Sequence, residues 1–203
     1  MKGFTLVELL VVLGISAMLV GIAIAYTSVA RNENTLNIES AKIAGFVSMA
    51  KNLAFSAYGA LNPVGNSRIC GYGVSVDYPS STYSIFAYTP SPSDYPDLLV
   101  NGALQFCPDL ASTTAVGIAP SEMIPYTAGT WDIPLDAGVQ FATGTSGDAL
   151  NFVFFSPPDP KVRMSNISSG VTLTTSTSQI YLETAQKTAS TTVTINGAGG
   201  IQF

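Results

Sequence analysis

Residues 1–26, MKGFTLVELLVVLGISAMLVGIAIAY, place one acid, Glu8, at the head of a run that is otherwise apolar. From Leu9 to Tyr26 there is no charge and almost no polar group. At ~1.5 Å per residue that run covers most of a ~30 Å hydrocarbon core, so it belongs in lipid or among other helices. An ionisable group at membrane depth costs about 2.5–3.5 kcal/mol on insertion scales, which means that Glu8 needs a partner. Lys2 is the only positive charge ahead of the run and Arg31 the first behind it. That bias is weak, and position in the chain favours a cytoplasmic N-terminus.

Three readings of this segment compete. Ala23-Ile24-Ala25 fits the A-x-A cleavage site of an ordinary secretory signal. A plain single-pass anchor would leave Glu8 as an interfacial charge. Neither explains why the helical pattern continues past the membrane. In TSVARNENTLNIESAKIAGFVSMAKNLAFSAYGA, Leu36, Ile43, Val47, Ala50, Ala54 and Ala57 recur at steps of three, four and seven, which places them on one helix face. Asn34, Asn37, Glu39, Lys42, Lys51 and Asn52 are expected largely on the others. No proline occurs before Pro63, so one helix from Phe4 to Tyr58 is expected, about 80 Å long. Its first half is apolar all round and asks for lipid or other helices. Its second half is amphipathic and asks for a domain lying against it.

Composition narrows the remainder. Of 203 residues 47% are hydrophobic, ample for a packed core, and only 10% are charged, which suits an extracytoplasmic surface rich in Ser, Thr and Gly. A net charge of −5 with eight scattered Lys and Arg leaves no basic stripe to neutralise phosphates, so nucleic acid is not an expected partner. There is no histidine, and Cys70 and Cys107 lack zinc-ligand company. No cofactor or metal is expected. An isolated cysteine pair behind an export signal reads as one disulfide made in an oxidising compartment, the other reading being two buried thiols.

The stretch KGFTLVELLVVLGI, taken with the long helix behind it, resembles the class III signal and first helix of type IV pilins and type II secretion pseudopilins. A basic leader residue, a glycine, a phenylalanine, a glutamate one helical turn on and an apolar run carry the resemblance. It implies a leader, residues 1–3, cut by the membrane prepilin peptidase between Gly3 and Phe4, with Phe4 then N-methylated. It also implies an assembly role for Glu8, whose carboxylate would meet the newly exposed amine of its own or a neighbouring helix. Partners would be the inner-membrane assembly platform and other subunits, packed through the helix. Many pilus-forming subunits carry a proline in the middle of this segment, which this chain lacks. Gly14, Ser16, Ala17, Gly21, Ala23 and Ala25 offer small surfaces for close helix approach.

The expected architecture is α+β: an assembly half of the helix at 4–30, an amphipathic half at 31–58 and a β-rich domain at 59–203. Asn62-Pro63-Val64-Gly65 ends the helix. RICGYGVSVDY, STYSIFAYT, GVQFAT, ALNFVFFS, GVTLTTS, SQIYLET and STTVTIN read as strands by their β-branched and aromatic content. DLLV-NG-ALQF and TVTI-NG-AGGIQF read as hairpins closed by two-residue Asn-Gly turns. Leu36, Ile43, Val47 and Leu53 are expected between helix and sheet. The order of these pieces resembles the H-type minor pseudopilin domain, shared with FimT-like pilins. In that group DNA binding uses arginines near the last strand, and NGAGGIQF has none.

Asp94, Asp97, Asp132, Asp136 and Asp159 sit in turns without the spacing of a cation loop. Asn166-Ile167-Ser168 fits a glycosylation acceptor by composition alone. No Ser/His/Asp set, no activated cysteine and no acid pair of evident geometry suggests an enzyme. The function expected is a structural subunit, a minor pilin or pseudopilin, made in the bacterial inner membrane and moved into a filament. A major pilin is the near alternative, and a β-rich binding domain on an ordinary stalk the distant one.

Overall fold

The computed structural model describes residues 5–57, 68–91, 99–100, 103–104, 107, 122–126, 132–142, 149–157, 162–166 and 177–202. One α-helix, α1 (Leu6–Ala57), runs unbroken for 52 residues, or about 78 Å. Nothing in its sequence interrupts it: it has no proline, and the hydroxyls of Thr27, Thr35 and Ser48 turn back onto the carbonyls of Ala23, Arg31 and Ala44 at 2.7–2.9 Å.

The strands described are β1 (Gly71–Asp77), β2 (Thr82–Tyr88), β3 (Leu99–Val100), β4 (Ala103–Leu104), β5 (Met123–Pro125), β6 (Ile133–Pro134), β7 (Val139–Phe141), β8 (Leu150–Phe155), β9 (Val162–Asn166), β10 (Ser178–Thr184), β11 (Ser190–Ile195) and β12 (Ile201–Gln202). They form two antiparallel sheets and a small hairpin, β3–β4. The first sheet runs β5–β2–β1–β8–β9, with β6 also on β2; the second runs β12–β11–β10–β7. A parallel bridge, Ala149 to Gln179, links them. The α+β architecture stands.

The second half of α1 lies across β1, β8, β10 and β11. Leu36, Ile43, Val47, Ala50 and Ala54 are at most 2% exposed, at helical spacing. Leu53 packs against the same core partly buried. Tyr72, Val74 and Val76 of β1 meet them, with Ile180, Leu182, Val193 and Ile195 from the second sheet. Here the alternation of β10, Ser178 through Thr184, is strict, as in a strand with one buried face.

One helix residue departs from expectation. Glu39 belongs to the buried stripe, not to an outer face, at 1% exposure. It lies one turn from Leu36 and from Ile43, and Lys42 reaches back to bind it at 2.6 Å.

The first sheet has a second buried face. Phe86, Tyr88, Phe152 and Phe154 form an aromatic cluster there with Cys70, Cys107 and Met123. Gly73 makes it possible: it pairs with Phe86 on one side and Phe154 on the other. Those two rings stack across it at 6.4 Å and 13°. A methyl group at Gly73 would come within 2.4 Å of the Phe86 ring and of the Val153 carbonyl oxygen. Cys70 and Cys107 are joined in a disulfide at the margin of this face, with Cα atoms 5.3 Å apart.

Most expected strands are found, and GVTLTTS lies outside the described residues. Val100 pairs with Ala103 across Asn-Gly. The last hairpin is corrected: Ile195 pairs with Ile201, so the turn spans Asn196 to Gly200 and is not a two-residue one. Asn196 Oδ1 accepts the backbone N–H groups of Ala198 and Gly200 at 3.1 and 2.7 Å, a local bond that competes with a tight turn. The positive φ falls on Gly199, at +74°, where a side chain would also strike Val162.

Candidate assembly interface

Leu6–Ile24 has mean hydropathy 2.5 and is long and apolar enough to cross a membrane, and none of it is buried within the molecule. Leu6, Met18, Ile22 and Ile24 are each about two-thirds exposed or more. Monomeric soluble proteins rarely expose contiguous apolar patches beyond a few hundred Å², so this half demands lipid or other helices. At Gly14 and Gly21 an added Cβ would meet nothing within 4 Å. No contact among the described residues accounts for either glycine.

Thr5 and Glu8 begin the helix. Thr5 Oγ1 accepts the backbone N–H of Glu8 at 3.3 Å, and Glu8 Oε2 accepts both the backbone N–H and the hydroxyl of Thr5 at 3.3 Å. This is a capping box, which satisfies donors that a helix start leaves free and sets a carboxylate at the positive end of the helix dipole. Thr5 was not anticipated. Its signal is in the sequence, Thr-x-x-Glu ahead of an apolar run. Glu8 is exposed and therefore open to a group from another chain. Gly3 and Phe4 lie outside the described residues.

From Asn32 the helix meets the β domain. Asn32 Nδ2 donates to Thr188 Oγ1 at 3.4 Å, in the β10–β11 turn. That turn is held by Thr184 Oγ1, buried, which accepts the N–H groups of Thr188 and Ala189 at 3.0 and 3.3 Å. Lys42 then ties helix to domain: its Nζ lies 2.6 Å from Glu39 and 2.9 Å from Asp136, between β6 and β7. Burial pushes the Glu39 carboxyl above its usual range. The Lys42 ammonium beside Asp136 holds that carboxyl below its usual range. Both carboxylates raise Lys42. The exposed apolar half is thus a continuous extension of a helix fastened to its domain.

Of the turn acids, two fall on described residues. Asp132 is exposed, Asp136 is engaged by Lys42, and Asp94, Asp97 and Asp159 lie outside the described residues. Among the described residues no three of His, Cys, Asp and Glu are grouped to hold a metal.

Residues 1–24 match the family described as Prokaryotic N-terminal methylation motif. Comparison with curated proteins and with solved structures found no match. The motif spans the exposed apolar half of α1 and supports a subunit of the type IV pilin and pseudopilin kind, anchored in a membrane by a single helix. It also implies processing by prepilin peptidase and assembly with other pilins.

Proposed function

We propose that this chain is a minor pilin or pseudopilin of a type IV pilus or type II secretion pseudopilus, drawn from the inner membrane into the filament by its helix. The observation that carries the reading is the division of α1: Leu6–Ile24 has no residue buried in its own molecule, and the second half is clamped to the β domain by an apolar stripe and Lys42. A continuous helix lets lateral packing of the first half place the second half and its domain on the outside of a bundle. The first half is apolar all round, so it can exchange lipid for neighbouring helices without exposing new apolar surface to water.

In this reading prepilin peptidase cuts between Gly3 and Phe4, Phe4 is N-methylated, and the new amine meets Glu8 of an adjacent subunit. That pairing offsets the cost of burying both charges, and an unmatched carboxylate in the bundle is penalised. Glu8 thereby sets register. The N-terminus faces the cytoplasm and the β domain the oxidising side, which suits the Cys70–Cys107 disulfide. The assembly platform and other subunits are the partners, and no catalytic step is assigned to the chain. The order of strands behind the helix favours an H-type, tip-proximal subunit over a major pilin. Abundance decides between them: a minor subunit is a trace component of sheared filaments, whereas a dominant band would make it the major one.

The test is Glu8→Ala. Leader removal is expected to proceed as in the parent chain, while the amount recovered in filaments falls at least tenfold. Undiminished incorporation would contradict the pairing role. A chain cleaved instead after Ala25 would return the segment to an ordinary secretory signal.

A further inference from the structure

Glu39 occupies a position where the helix pattern calls for an apolar residue. It is 1% exposed, between Leu36 and Ile43, and its Oε1 is held by Lys42 Nζ at 2.6 Å. Its Oε2 is buried and has no hydrogen-bond donor among the described residues. A buried carboxylate oxygen in that state is penalised, and the penalty vanishes if the oxygen carries a proton and has an acceptor to give it to. An acceptor is at hand: the Asp136 carboxylate shares Lys42 with Glu39, at 2.9 Å from Nζ. Charged, the three groups sum to one net negative charge at the helix–domain boundary. One proton taken from solvent makes the set neutral.

We propose that Glu39 and Asp136, bridged by Lys42, form a proton-operated latch that holds the β domain onto α1 more firmly at mildly acidic than at neutral pH. On protonation Glu39 changes from acceptor to donor, its new O–H gives a hydrogen bond to the Asp136 carboxylate, and Lys42 keeps its contacts to both. The groups facing Glu39 are Lys42 from its own helix, Asp136 from the β6–β7 connection and Tyr83 from β2, whose hydroxyl burial keeps protonated. Burial first, and then the Asp136 carboxylate, raises Glu39, while the Lys42 ammonium first, and then Glu39, lowers Asp136, so a proton taken up by the pair resides on Glu39.

Because the folded protein raises Glu39 above its ordinary value of 4.5, it binds the proton that the unfolded chain releases. The stabilisation is complete below 4.5 and is lost as pH rises through the higher folded value. Asp136 acts oppositely, but only as pH falls below its ordinary 3.8. Between 4.5 and neutrality the Glu39 effect governs. This latch does not depend on the filament reading, since it acts within one subunit.

The experiment is thermal unfolding of the full chain in detergent micelles at about pH 7.5 and about pH 5, for the parent, Glu39→Gln and Asp136→Asn. The parent midpoint is expected to rise by about 2–4 °C more on acidification than that of Glu39→Gln. Glu39→Gln, already carrying a donor, should match or exceed the parent at the higher pH. Asp136→Asn, at an exposed position that tolerates the change, should move the rise to lower pH, because Glu39 loses the neighbour that favours its proton. A Glu39→Gln profile parallel to the parent, or an Asp136→Asn profile superimposable on it, would overturn the proposal.

Discussion

At Glu8 one carboxylate serves the first turn of its own helix through Thr5 and, in the proposed assembly, the amine of another chain. Two substitutions separate these duties. Thr5→Ala removes the cap, weakening the helix start by roughly 0.5–2 kcal/mol, yet leaves the carboxylate; near-normal recovery in filaments is expected. Glu8→Ala removes both, and recovery should collapse. Equal loss in the two variants, measured by immunoblot of sheared filaments, would reduce Glu8 to a capping residue. Gly73 gives a second test at this scale. Gly73→Ala drives a methyl into the Phe86 ring and the Val153 carbonyl, with an expected loss of about 1–3 kcal/mol in chemical unfolding. Both residues show what sequence conveys unevenly. The Thr-x-x-Glu spacing is local and legible. The need for glycine at position 73 is not, because it arises from rings on β2 and β8 that meet only when the sheet forms.

The elements were legible where their signal is internal. The stripe of α1 needed only spacing, and β1, β2, β8, β10 and β11 announced themselves by β-branched and aromatic residues. β5, β6 and β9 did not. Met123–Pro125 and Ile133–Pro134 are two or three residues long and contain proline, and Val162–Asn166 is short and ends in two polar residues, Ser165 and Asn166; each is a strand because a neighbour lends it a ladder. Glu39 was misplaced because its charge was weighed above its position: helical spacing puts it on the stripe between Leu36 and Ile43, while the Lys42–Asp136 pair beside it depends on a residue 97 positions away in the chain. Docking of α1 is testable through Ile43, which is fully buried. Ile43→Ala should cost about 2–5 kcal/mol, read as a lower unfolding midpoint, because the cavity opens between two rigid layers. An effect below about 0.5 kcal/mol would mean that helix and domain are not packed together in solution.

For the whole molecule, the Cys70–Cys107 bond closes a loop with a sequence separation of 37 and ties the stretch after β4 to the aromatic face of the first sheet. Chain entropy assigns such a closure roughly 4 kcal/mol. The reduced protein, or Cys70→Ser with Cys107→Ser, should therefore unfold at distinctly lower denaturant, while α1 docking on the opposite face persists. In the proposed assembly the subunit is a rod with a fastened head whose bare end is completed by other copies. Its most direct check is the mass of the polypeptide taken from purified filaments. A chain beginning at Phe4 and one methyl group heavier is the result expected; a chain still carrying Met1 to Gly3, or one beginning at Tyr26, would contradict it.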